Sequence, residues 1–219
     1  MTKDEVRKQI LDVGIIPVIR AESDAQAMQA AEALCKGGIP IVEITMTVPN
    51  AVEALRLLSR DTKSRLLVGA GTVLHADAVE QCVEAGAEFI ITPGYNAEVV
   101  ARTKKLGKLI MSGALSPTEV MEAWAAGSDF LKIFPCGSMG GPKYIKALKG
   151  PFPKVAMIPT GGVNLGNAAD FLRAGADALG IGSELVSAAA LKTGDLHAIT
   201  AAAQQFVKIV QQTRSRRAA

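Results

Sequence analysis

Aromatic side chains are scarce, at 4% of 219 residues against 49% hydrophobic overall, so the core must be built from Ala, Val, Ile and Leu. Cys35, Cys82 and Cys136 form no CxxC pair. That spacing excludes a disulfide framework and points to a reducing compartment. The only histidines, His75 and His197, stand far apart. They offer no paired ligand motif, which leaves at most an oxygen-ligated magnesium site open. No apolar stretch is long enough to span a bilayer. The first eleven residues are charged and lack the apolar core of a signal peptide, so the expectation is a cytoplasmic protein. Net charge is only +3, and no basic stripe carries interleaved aromatics. That gives no footing to a nucleic-acid partner. Much of the positive excess sits in Arg214, Arg216 and Arg217, and residues 214–219 are expected to be a frayed, solvated tail.

What is present is a repeating unit. Residues 2–13 form the pattern of an amphipathic helix opened by a Thr2–Glu5 capping box. Short apolar runs at 15–20, 41–46, 66–70, 89–92, 108–112, 129–135, 155–159 and 178–182 then read as eight strands, the fifth the weakest. Between them lie helical segments with recognisable ends. Ser23 caps one that stops at Gly37-Gly38, and Ser116-Pro117 opens another. A further helix is expected over 164–173, and a last one over about 195–212 with Leu196, Ile199, Phe206 and Val210 on one face. Units of roughly 20–25 residues alternating strand and helix predict a parallel, right-handed (β/α)8 TIM barrel of class α/β. It would be a single domain over residues 1–219, with an N-terminal helix and an extra C-terminal helix. A doubly wound open sheet is the rival. The first strand's turn, residues 20–24, has no glycine and so lacks the dinucleotide fingerprint that such sheets usually carry.

In such a barrel the chemistry lies at the C-terminal strand ends. Polar residues there are few: Arg20, Glu43, Thr45, Thr72, Thr92-Pro93, Lys132, Thr160-Gly161-Gly162 and Gly182-Ser183. Glu43 and Lys132 differ from the rest, because each is a charge inside an apolar strand. Sealed between strand and helix layers, either would cost several kcal/mol, so both are expected to face the barrel interior. There, residues of alternate strands share a layer. An ammonium in dry surroundings is costly, and a neutral amine is the nucleophile that attacks a ketone. A carboxylate beside it can shuttle protons. The plainer reading is an ion pair that only fixes the core. Gly161-Gly162 and Gly182-Ser183 follow the seventh and eighth strands, where barrel enzymes commonly hold a phosphate, with amides of a helix N-terminus as donors.

Seven stretches, in order along the chain, complete the picture. They are residues 14–20 (GIIPVIR), 42–45 (VEIT), 69–72 (GAGT), 92–94 (TPG), 130–135 (FLKIFP), 159–163 (PTGGV) and 180–183 (GIGS). The chain resembles the bifunctional 2-keto-3-deoxy-6-phosphogluconate (KDPG) and 4-hydroxy-2-oxoglutarate (KHG) aldolases of class I. The resemblance implies that Lys132 forms an imine with the substrate and that Glu43 is the general acid/base. Arg20, Thr45, Thr72, Pro93, Gly161, Gly162, Gly182 and Ser183 would bind the substrate. It also implies no cofactor, a homotrimer and a small-molecule 2-keto acid as the partner. Family members with an arginine four residues after the glutamate use it on the substrate carboxylate; Thr47 stands there in this chain, which makes Arg20 the candidate anchor. Two other readings remain open on the sequence: a phosphosugar isomerase or synthase on the same barrel, and a catalytically silent oligomeric scaffold.

Overall fold

The structure, a computed structural model, describes residues 1–60 and 66–218. After helix α1 (Lys3–Val13) come β1 (Ile15–Ile19), α2 (Asp24–Lys36), β2 (Ile41–Thr45), α3 (Ala51–Arg60) and β3 (Leu67–Gly71). Then follow α4 (Ala76–Glu84), β4 (Phe89–Ile91), α5 (Ala97–Lys105), β5 (Leu109–Ala114), α6 (Pro117–Ala125) and β6 (Phe130–Ile133). The chain ends with α7 (Pro142–Lys149), β7 (Met157–Pro159), α8 (Ala168–Arg173), β8 (Leu179–Ile181), α9 (Ala188–Thr193) and α10 (Leu196–Ala218). The strands form one eight-stranded sheet in the order β7-β6-β5-β4-β3-β2-β1-β8, with parallel pairing between the neighbours in that order. A parallel bridge between Thr160 and Gly180 joins β7 to β8 and closes the ring. The fold is therefore the (β/α)8 barrel. Among the described residues no helix is long and apolar enough to cross a membrane.

Strand alternation divides the core in two. Ile19, Val42, Ile44, Leu131 and Ile133 face outward and pack against the helices. Ile16, Ile41, Leu67, Phe89, Leu109, Met111, Phe130 and Ile158 face inward. They fill the lower half of the barrel together with Val6 and Ile10 of α1. The capping box at Thr2 and Glu5 fixes where α1 begins. Burying its two aliphatic side chains contributes about 1.5–3 kcal/mol each. The barrel is thus plugged at the bottom.

Three expectations need correction. Residues 108–112 read as the weakest strand, yet β5 runs over six residues, Leu109–Ala114, all buried. Packing on both faces outweighs the poor strand propensity of Ser112 and Gly113. α8 starts at Ala168 rather than 164, because the Asn164 side chain accepts the N–H groups of Gly166 and Asn167 while Asn167 Oδ1 accepts that of Asn164. Such local bonds compete with a helical turn. The expected frayed tail over 214–219 is instead the last part of α10 through Ala218. Arg214 donates to the carbonyls of Leu11, Asp12 and Asp177 and ties that helix to the barrel floor. Ala219 and the side chains of residues 217 and 218 lie outside the described residues.

Candidate active site

Above the apolar plug, the inward positions change character. The next residues up the barrel are Val18, Glu43, Gly69, Gly113, Lys132 and Gly180. Lys132 and Glu43 are 3% and 1% exposed, and Lys132 Nζ donates to Glu43 Oε1 at 3.4 Å. Both charges therefore face inward and meet across the barrel. The contact sets the amino group of one strand beside the carboxyl group of another. The Phe134 ring centroid lies 5.6 Å from Nζ.

Glycine makes the room. A methyl group on Gly71 would collide with the Glu43 carboxyl, and one on Gly113, the β5 partner of Lys132, would collide with the main chain at Pro93 and Gly94. On Gly180 it would collide with the Thr160 hydroxyl. Side chains at these inward positions would fill the upper barrel as they fill the lower. Their absence lets the Glu43 carboxyl, the Pro93–Gly94 main chain and Thr160 occupy that space. Pro93 is thereby brought against the strand neighbour of Lys132.

Thr72, the residue after β3, has φ +57°. A β-branched residue in the left-handed region costs of order 1–3 kcal/mol, and such strain persists where the surroundings demand it, often at active sites. Thr45 is fully buried and its hydroxyl is committed. It donates to the Ile19 carbonyl at 3.1 Å and lies 2.8 Å from Thr47 Oγ1. Thr45 ties the rims of β1 and β2 together.

The strand-end glycines also come together. Gly161 and Gly162 adopt φ +84° and +82°, and Gly162 packs so closely on Gly137 that a Cβ on it would lie 2.9 Å from Gly137 Cα. A cavity of about 90 Å³ is bordered by these glycines, Gly182, Ser183 and Arg20. Arg20 therefore stands at the glycine cup, gathered with the residues expected to hold a phosphate. Because α8 begins five residues beyond Val163, the cup is lined by loop backbone and not by a helix N-terminus, contrary to the sequence expectation. Sequence reading also missed Val18, Phe134 and Glu184 on the cavity wall. Phe134 could have been found from the inward alternation of β6, whereas Glu184 had no signal apart from its place after Gly182-Ser183. A larger cavity, about 380 Å³, lies on the outer surface between α2 and α3 among Ala25, Met28, Leu58 and Leu66. It brings together no strand-end group, so chemistry rather than size picks out the barrel mouth.

Neither buried thiol is poised to react. Burial pushes Cys136 up to about 12 and Cys82 up to about 11.

Comparison with known proteins places this site in a family context. The family described as KDPG and KHG aldolase matches residues 6–202. A 2-dehydro-3-deoxy-phosphogluconate aldolase of Treponema pallidum is 36% identical over 90% of this chain and 94% of its own. The KHG/KDPG aldolase of Escherichia coli K12 is 34% identical over 92% and 94%. Among solved structures, KDPG aldolase from Legionella pneumophila, with pyruvate captured as a covalent carbinolamine, superposes with a TM-score of 0.84. It is 34% identical and the match covers 91% of this chain and 96% of that one.

Proposed function

Because the chain belongs to the family of KDPG and KHG aldolases, we propose that it is a class I aldolase. It cleaves KDPG to pyruvate and glyceraldehyde 3-phosphate, KHG to pyruvate and glyoxylate, or both. The observation that carries the reading is the buried contact of Lys132 Nζ with Glu43 Oε1.

The steps follow from that contact. Uncharged Lys132 attacks the C2 ketone, forming the N–C bond while the former carbonyl oxygen takes a proton from Glu43. The nitrogen then gives one proton back to Glu43, which delivers it to that oxygen and expels it as water, leaving a protonated imine and a carboxylate. Glu43, now a carboxylate, removes the proton from the C4 hydroxyl. The C3–C4 bonding pair moves towards the imine, giving an enamine of pyruvate and a free aldehyde. Protonation at C3 and hydrolysis return the amine. The positive imine stabilises charge that develops only during bond cleavage, which is where stabilisation accelerates the reaction.

Around this pair, Thr72 and Pro93 shape the pyruvate end, and Thr45 holds the rim. Gly161, Gly162, Gly182, Ser183 and Arg20 receive the far end of the substrate. Arg20 supplies the positive charge there. The proposal includes a cytoplasmic location, supported by a sequence whose cysteines form no CxxC pair, and a homotrimer, supported by the family resemblance.

Borohydride reduction in the presence of pyruvate tests the chemistry. The expected result is a stable adduct on Lys132, with both adduct and cleavage lost in Lys132→Ala. Undiminished turnover in that variant would overturn the imine mechanism.

A further inference from the structure

The glycine cup carries a charge that a phosphate site has no use for. Its wall holds one cationic side chain, Arg20, and one carboxylate, Glu184, and the other lining residues are formally neutral. Both charged groups are exposed, and no ion pair among the described residues involves either. Glu184 is also held at the mouth by its backbone. The N–H groups of Leu185 and Val186 both donate to the Gly182 carbonyl at 2.9 Å, folding Ser183 and Glu184 into a tight turn beside the cavity. Arg20 further borders a second cavity of about 220 Å³ that contains Glu22 and Thr47, so the cup does not have its cation to itself.

A phosphate monoester carries about −1.5 to −2 charge at pH 7. Bound in a wall with no net formal charge, it meets attraction from the guanidinium and repulsion from the carboxylate. An uncharged hydroxylated tail meets neither, and can donate hydrogen bonds to Glu184. We propose that Glu184 determines distal-group specificity, weakening the hold on dianionic phosphate so that unphosphorylated 2-keto-3-deoxy acids compete for the same site. This assignment rests on the aldolase reading and names the substrate class within it.

The test compares wild type, Glu184→Gln and Glu184→Asp on the phosphorylated six-carbon substrate and on its unphosphorylated counterpart. An exposed like charge at a rim acts modestly. The ratio of kcat/KM, phosphorylated over unphosphorylated, is therefore expected to rise about three- to tenfold in Glu184→Gln, which matches roughly 0.7–1.4 kcal/mol. The change should come through KM. Glu184→Asp should keep the wild-type ratio, and the Gln effect should shrink near 1 M salt, where the screening length is about 3 Å. A ratio unchanged in Glu184→Gln, or a change indifferent to salt, overturns the assignment. Titration with inorganic phosphate followed by phosphorus NMR reads the same effect without turnover, with tighter binding expected in Glu184→Gln. Absence of a borohydride adduct in wild type would defeat the aldolase reading while leaving that binding result to decide the role of Glu184.

Discussion

Replacing Gly71 by alanine should damage catalysis at a position that takes no part in the chemistry. A Cβ built there meets Glu43 Oε1, Cδ and Cγ as its three nearest neighbours, all far inside contact distance. The backbone at Gly71 is not in the left-handed region, so alanine brings no strain of its own and the collision is the whole effect. Phe89 and Ile41 fill the barrel below, so the carboxyl has no space to sink into. It must rotate away, and its 3.4 Å contact with Lys132 is lost. Overpacking of this kind costs about 1–3 kcal/mol. Moving a catalytic group by about 1 Å costs on the order of 10²-fold in rate. The expected outcome is a stability loss in that range by urea unfolding, with kcat for pyruvate release lowered about a hundredfold. Lys132 should still be trapped by borohydride, but slowly, because carbinolamine dehydration needs the acid. Gly182→Ala is the control for stability, since the nearest atom to its Cβ is Arg20 Nη1 at an ordinary 3.5 Å. A Gly71→Ala protein with wild-type stability and turnover would show that the Glu43 carboxyl does not occupy the place from which its role was argued.

Two further perturbations follow from the framework. Cys82 and Cys136 are raised by burial from an ordinary 9.0 to about 11 and about 12. Groups shifted upward on folding contribute stability below the unfolded value and lose it as pH rises through the folded one. Thermal unfolding midpoints should therefore fall progressively between about pH 9 and 12 in wild type, and less steeply in a Cys82→Ala, Cys136→Ala protein; parallel profiles would refute the attribution. Arg214→Ala removes a guanidinium that bonds three carbonyls and joins α10 to α1 and to Asp177, just before β8. At about 1.5–3 kcal/mol for a hydrogen bond to a charged group, the urea midpoint should drop clearly. An unmoved midpoint would return residues 214–218 to the status of a dispensable tail.

Much of this molecule is legible in its sequence for reasons that are local. Ser23 caps α2, Thr2 and Glu5 form the capping box of α1, and Ser116-Pro117 opens α6, as their side-chain chemistry predicts. Lys132 and Glu43 betray themselves because a charge inside an apolar strand has only one tolerable direction to face. The harder features depend on partners distant in sequence. Gly113 lowers strand propensity in isolation, yet β5 is held by neighbours on both sides and covered on both faces. Thr45 looks like a free hydroxyl until Ile19 and Thr47 are placed beside it. Gly71 reads as a glycine just past a strand, and only the register with Thr45, two residues beyond Glu43, reveals what it accommodates. Arg20 shows the same limit: a strand-end cation is visible in the sequence, but its place beside the seventh and eighth loops appears only in the fold.

The barrel interior then poses a question of energetics. Its lower half shows that this chain can fill the cylinder with aliphatic and aromatic side chains. In the layer above it carries a buried amine and carboxylate, empties three neighbouring positions to glycine, and holds a β-branched residue in the left-handed region. A buried ion pair is often worth less than well-packed apolar residues of the same volume, by about 1–4 kcal/mol. Emptied positions forgo further apolar burial, at about 25 cal/mol for each Å² left uncovered. If the pair served only to hold the core together, a Leu or Met in each place would do better and the glycines would have no purpose. The costs are concentrated at one end of one cylinder, and they converge on a single nitrogen. That concentration favours chemistry over architecture as the reason for Lys132.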